Sequence, residues 1–187
     1  MPSTPEAKAM PSSGSTARWP PPMPEQKKSV SIQISSMCRF PSGEQSELPA
    51  STQHFDVRPF RDPWGKTKHD GRHDDVVRQF VHHEAFPDLV ADVKFALTEL
   101  LQDGGASLSL CFWCEHGKYR SVCAADLFGH VLRSVLDPEF SSIQVKHLTQ
   151  ELRMSHHWRT CKECSTPRLT YVPFAVQIWR DAYTIFV

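Results

Sequence analysis

The apolar run Leu108-Ser109-Leu110-Cys111-Phe112-Trp113 leads directly into Cys114-Glu115-His116-Gly117-Lys118-Tyr119-Arg120-Ser121. After that loop, Ala124, Phe128, Val131 and Val135 recur at helical spacing. A buried strand that feeds a helix through a short glycine-bearing loop restricts the chain to few architectures, chiefly those in which strands alternate with helices. Such a loop aims several backbone N–H groups at one point, with the positive end of the helix dipole behind them. Lys118 and Arg120 add charge at that point, so the segment reads as an anion-binding loop.

The flanking segments extend the same alternation. Val30-Ser31-Ile32-Gln33-Ile34 alternates as a first strand, and residues 38–51 are a turn-rich connection. Residues 53–58 read as a second short strand stopped by Pro59, followed by a polar loop through Arg72. A short helix is expected over residues 74–83, with His82-His83-Glu84 at its exposed end. Pro87-Asp88 starts a longer helix that ends near Gly104-Gly105. Leu89, Val93, Ala96, Leu97 and Leu100 form its core stripe. Asp137-Pro138 ends the helix after the loop, and Ile143-Gln144-Val145 is another strand. Strand, helix, strand at this spacing favours parallel pairing in a three-layer α/β fold with a mostly parallel sheet. Ligands of such folds sit at the carboxyl ends of the strands.

Three regions are expected. Residues 1–27 are rich in proline and serine and read as a disordered leader. Residues 29–151 form the α/β domain. Residues 152–187 form a Cys/His-containing extension whose aromatics (Tyr171, Phe174, Trp179, Tyr183, Phe186) pack it on the domain, in a secondary structure that periodicity leaves unassigned. The 21 basic and 21 acidic residues cancel, which argues against a broad nucleic-acid or membrane surface. The chain begins without an apolar leader, no run approaches the length of a membrane span, and the six cysteines are not spaced as a disulfide framework. The expectation is a cytoplasmic protein with reduced thiols. Gly65-Lys66-Thr67 is not a Walker A motif, because Phe60 stands where that motif has its first glycine.

Two chemistries fit the loop. In a cysteine phosphatase, Cys114 attacks phosphorus, Arg120 clamps the phosphoryl oxygens and Ser121 assists the leaving thiolate. Against this, Trp113 replaces the histidine of the phosphatase signature, Glu115 brings negative charge into the loop, and Asp62 and Asp70 are the candidate general acids in a polar loop. In a noncatalytic cradle the same residues only bind the anion.

The pairing of Phe55-Asp56-Val57-Arg58 and Asp62-Pro63-Trp64 with Cys114-x-x-Gly117-Lys118-x-Arg120-Ser121-Val122 resembles the C-terminal domain of the RapZ family of bacterial RNase adapters. The likeness covers residues 29–151, including a Lys146-His147 pair that is similar to a basic histidine motif there. In that family the domain binds glucosamine-6-phosphate and a small regulatory RNA. The resemblance implies a phosphosugar or other phosphorylated-metabolite pocket whose phosphate end is lined by Cys114, His116, Gly117, Lys118, Arg120 and Ser121. Asp56 and Arg58 would face it, the alternative being a mutual ion pair that braces the loop. The chain departs from the family in lacking its nucleotide-binding N-terminal domain and its basic C-terminal end, and in carrying Glu115-His116 where the family has a small, glycine-bearing pair. These departures weigh more against RNA than against a metabolite. RNA binding stays as a further alternative, with Lys66, Lys68, Arg72 and Arg78 as its basic cluster. A phosphorylated small molecule is the expected partner, and a homo-oligomer stays open.

The segment His156-His157-Trp158-Arg159-Thr160-Cys161-Lys162-Glu163-Cys164 joins a C-x-x-C pair to two histidines. Cys161, Cys164 and either His156 or His157 suit the tetrahedral preference of structural zinc. The fourth ligand would be the other histidine, Cys38 or a residue of another chain. A redox pair and unliganded cysteines are the alternatives.

Overall fold

The computed structural model describes residues 29–38, 48–61, 69–139, 141–148, 161–165 and 169–182. The proline-rich leader, the Gly65-Lys66-Thr67 segment and His156-His157 lie outside the described residues. Four strands, β1 (Val30–Cys38), β2 (Gln53–Asp56), β3 (Ser107–Cys114) and β4 (Ser141–His147), form one sheet in the order β2-β3-β1-β4. Every pairing in it is parallel. The helices are α1 (Asp74–Val81), α2 (Phe86–Gln102), α3 (Arg120–Val135), the single-turn α4 (Lys162–Ser165) and α5 (Val172–Asp181). The arrangement is consistent with the three-layer α/β fold anticipated above.

The sheet register explains the core. Ile32 stands beside Leu108 and Ile143, and Ile34 beside Leu110 and Val145, so one face carries a continuous apolar band across β3, β1 and β4. Phe55 of β2 and Phe112 of β3 continue it, stacked with ring centroids 5.2 Å apart, and Phe128 of α3 stacks on Phe112 at 5.1 Å. Offset stacks of this kind add about 0.5–1.5 kcal/mol beyond the area they bury. α3 lies across β1, β3 and β4, while α5 packs on α3 and α2 through the buried residues Ala175, Val176 and Trp179. Lys94 of α2 ties that helix down by donating to the carbonyls of Trp179 (2.9 Å) and Ala182 (2.6 Å).

Element boundaries differ from the periodicity reading in understandable ways. β1 runs on to Cys38 with Ser35, Ser36, Met37 and Cys38 all buried, so alternation vanishes in its second half, where both faces are covered. The second strand stops at Asp56, and Val57 makes one last contact by donating to Trp113 O at 3.1 Å. α1 ends at Val81, with His82 as its C-cap. β4 extends two residues to either side of Ile143 and Val145. Its exposure alternates as expected for a strand at the sheet's edge. The aromatic-rich stretch left unassigned contains α5, started by Pro173 in its first turn.

Gly129 sits mid-helix in α3, where glycine costs about 1 kcal/mol relative to alanine. A Cβ there would lie 2.7 Å from Val145 Cγ2, an atom on a stiff β-branched side chain. The glycine lets α3 rest directly on β4. Gly129→Ala is therefore expected to lower the thermal midpoint, since overpacking of about 1–3 kcal/mol outweighs the propensity gain. A raised midpoint in a thermal melt would mean that β4 yields at this contact.

Candidate functional site

β1 and β3 are neighbours whose outgoing connections cross the sheet in opposite directions, β1 to β2 and β3 to β4. Outside the carboxyl ends at such a switch point lies the usual ligand crevice of a parallel α/β sheet. Cys38 and Cys114 end the two strands side by side, and the loop over residues 115–119 rises from this point. Gly117 is buried at φ 61°, a left-handed conformation that costs a residue with a Cβ about 1–2 kcal/mol. α3 then begins at Arg120, and its N-cap residue Tyr119 makes no capping hydrogen bond through its side chain. The first N–H groups of a helix have no partner inside it and carry its partial positive charge.

The loop residues divide between its surface and its foundation. Glu115 and His116 are exposed, and Lys118 is half-buried with Nζ 4.8 Å above the Tyr119 ring. Cys114, by contrast, is 2% exposed and belongs to the hydrophobic core. Its thiol donates to Ser121 Oγ at 3.3 Å, and Ser121 is itself fully buried. Cys114 and Ser121 thus stand beneath the loop.

Arg120 joins the two sequence motifs. Its Nη1 donates to the carbonyls of Arg58 (2.8 Å) and Phe60 (3.2 Å), which fixes the segment after β2 to the first residue of α3. Asp56 and Arg58 are turned onto each other: Arg58 Nε donates to Oδ1 at 2.9 Å, its Nη2 to Oδ2 at 2.7 Å, and its backbone N–H to Oδ1 at 2.9 Å. The guanidinium also lies 4.3 Å over the Trp113 ring. Burial pushes the Asp56 carboxyl up, but the Arg58 hydrogen bonds and the charges of Arg58 and Arg120 together hold it below its usual value. The geometry is that of a brace.

A second brace runs beneath the crevice. Ser36 Oγ lies 2.7 Å from His147 Nδ1, and His147 Nε2 lies 3.2 Å from Asp126 Oδ1 on α3. Asp126 Oδ2 is 3.9 Å from Arg72 Nε, and Arg72 Nη2 is 2.8 Å from Asp70 Oδ2. Serine, histidine and carboxylate in line have the makings of a hydrolytic triad, yet Ser36 is only 1% exposed and out of a substrate's reach. Asp70, a candidate general acid in the sequence, is equally buried and grips Arg72. Asp62, the other candidate, lies outside the described residues. Arg72 and Arg78, from the basic cluster, are both in ion pairs, the latter with Asp75 at 2.9 Å. Lys66 and Lys68 lie outside the described residues.

The segment that carries Arg72 meets the loop through its backbone. Gly71 N–H donates to Lys118 O at 3.1 Å, and a Cβ on Gly71 would strike Tyr119 O and Cys123 N. On the other side of this segment stands a group of potential metal ligands. His69, Cys161 and Cys164 bring their donor atoms within 4.8 Å of one another. Cys164 Sγ is 3.7 Å from His69 Nδ1. Burial, opposed in part by a hydrogen bond from the Asp70 backbone N–H, pushes the Cys164 thiol up. Cys111 is pushed to about 12 by burial, and Cys123 well above its ordinary value by burial and by Asp126 and Asp70. These two are core thiols without nucleophilic character.

Sequence reasoning found the loop, the Asp-x-Arg motif and the C-x-x-C pair, and it missed His69, Ser36 and Asp126. His69 is separated from Cys164 by 95 positions in a polar stretch, so no local spacing marks it. Asp126 reads as the polar side of α3. A charged residue there, one helical turn before His130, carries no signal until β4 places His147 beside it. No helix among the described residues is long and apolar enough to cross a membrane.

No protein-family model matches the chain, and comparison with curated proteins finds none similar to it.

Two outcomes test the braces. Gly71→Ala should cost about 2–3 kcal/mol in chemical denaturation, because it collides with backbone rather than with a flexible side-chain end; a loss below a few tenths would place no demand on the close approach. For Asp56, a folded-state pKa held low contributes stability that is present above the unfolded value of about 3.9 and is lost as pH falls through the lower folded value. Replacing it by asparagine should flatten part of the decline in denaturation midpoint below about pH 4, less so at high salt because the pair is exposed. Superimposable acid profiles would show the pair to be inert.

Proposed function

We propose that the chain is a noncatalytic module that binds a phosphorylated metabolite, a phosphosugar or nucleotide, with its phosphate in the cradle over residues 114–121. One observation carries the reading: at the switch point of the sheet, the left-handed Gly117 turns the chain into a helix start whose N-cap Tyr119 makes no side-chain capping hydrogen bond, with Lys118 and Arg120 on either side. A phosphate oxygen accepts readily from such N–H groups and gains from the dipole and both cations. Arg120 already holds the segment after Asp56-Val57-Arg58, so the two motifs that resemble the RapZ C-terminal domain act on one crevice, which supports that likeness. Asp56 and Arg58 shape the rim, His116 reaches from the exposed side of the loop, and Cys114 and Ser121 stiffen its base. A structural zinc ion on Cys161 and Cys164 belongs to the same reading.

Thermal melts with inorganic phosphate, phosphosugars and nucleotides test the cradle. At a ligand concentration about 100-fold above its dissociation constant, binding stabilises by about 2.7 kcal/mol, a shift of several degrees. Lys118→Ala should fold normally and lose most of that shift. No shift with any phosphorylated compound, or a shift untouched by the substitution, would remove the cradle.

One contact favours the cysteine-phosphatase alternative, the Cys114 thiol on Ser121 Oγ, since that hydroxyl is placed to stabilise a thiolate. That reading requires the buried sulfur to become accessible. It predicts hydrolysis of an aryl phosphate that Cys114→Ser abolishes, and equal inactivity of the two proteins would dispose of it.

A further inference from the structure

We infer that His69 is the third protein ligand of a zinc site completed by Cys161 and Cys164, and that this ion fastens the C-terminal segment to the base of the anion loop. The inference rests on the zinc reading above and adds the ligand and the purpose. A tetrahedral ion with bonds of about 2.3 Å to sulfur and 2.0–2.1 Å to nitrogen holds its donors about 3.5–3.8 Å apart by simple geometry. Cys164 Sγ and His69 Nδ1 stand 3.7 Å apart, and all three donors lie within 4.8 Å. The Cys164–His69 separation is already the one a bound ion imposes, and the widest separation in the group exceeds it by at most about 1 Å.

The surroundings suit a thiolate site. Cys161 precedes the single turn α4, and the N–H of Ser165 donates to Cys161 O at 3.0 Å, closing a knuckle that presents both sulfurs to one side. His69 lies against His73 with ring centroids 4.0 Å apart and planes tilted by 34°, which restrains the imidazole. A disulfide between the two cysteines would make no use of His69, whereas both thiols are free.

The purpose follows from what lies next along the chain. Asp70 grips Arg72, and Gly71 donates to Lys118 O, so the residue after His69 and the one after that reach the brace and the loop. Three residues of an irregular segment are thereby held between an ion and α3. The fourth coordination position is open to water or to a donor outside the described residues.

The full chain, purified under reducing conditions, should carry one equivalent of zinc by elemental analysis. His69→Ala should retain less than about a tenth of the native affinity, the scale on which lost ligation contacts act, measured by competition with a colorimetric chelator. Should that variant misfold, cobalt substitution decides: the native protein should show thiolate-to-cobalt charge transfer and tetrahedral d–d bands, and His69→Cys should keep the metal and strengthen the charge-transfer band. No metal in the reduced native chain would sink the zinc reading altogether. Native zinc with unchanged affinity in His69→Ala, or an unchanged cobalt spectrum in His69→Cys, would leave that reading standing and overturn the role of His69.

Discussion

The backbone of Gly71 lies so close to Tyr119 O and Cys123 N that no side chain fits between them, and most of the crevice depends on that approach. It presses the segment before α1 against the first turn of α3. Gly71 N–H then meets the carbonyl of Lys118, and Asp70 can hold Arg72 where its guanidinium also faces Asp126. A buried ion pair of this kind adds little net stability against apolar packing, but losing one partner is costly because the other stays buried and uncompensated. Its value here lies in register. Asp126 is held to His147, His147 to Ser36, and the ends of β1 and β4 are thereby fixed to the helix that follows the loop.

A loop that is to bind an anion through backbone N–H groups has to be rigid before the ligand arrives, since ordering it on binding subtracts from affinity. Three independent restraints act within a few residues: Ser121 and Cys114 beneath, Gly71 at the side, and Arg120 reaching across to the carbonyls of Arg58 and Phe60. None of them occupies the outer surface of the loop, where Glu115 and His116 are exposed. A pre-set backbone with exposed residues on its outer side is what the proposed cradle requires.

What could be read from the sequence follows the range of the forces involved. The strand-loop-helix unit is local: the apolar run, Gly117 and the α3 stripe lie within one stretch, and the parallel α/β fold follows from repeating that pattern. β1 was legible only in its first half, because alternation fails where Ser35 to Cys38 are buried on both faces. α5 stayed unassigned because its five aromatic markers straddle the 3-10 turn Leu169–Tyr171, the helix itself and positions beyond it, which blurs the period. In the site, the C-x-x-C pair and the Asp-x-Arg motif are short-range patterns and visible. His69 with Cys164, or Ser36 with His147 across 111 positions, are products of topology alone. Reading them required the order in which β1, β3 and β4 pair.

The proposed anion has to fit the charges around the loop in a chain that is neutral as a whole. Arg58 faces Asp56, and Arg72 faces Asp70 and Asp126, so both guanidiniums sit beside carboxylates. Arg120 donates from Nη1 to two backbone carbonyls, which fix its position, and its charge also acts on Asp56. Glu115, the acidic residue that seemed out of place in an anion loop, exerts its charge on Arg58, which it helps keep protonated. The carboxylates at the rim are thus matched by arginines, and the proposed cradle draws on Lys118 and the start of α3. On the proposed reading a compact dianionic group fits better than an extended polyanion, for which a chain of 21 basic and 21 acidic residues offers no broad basic surface.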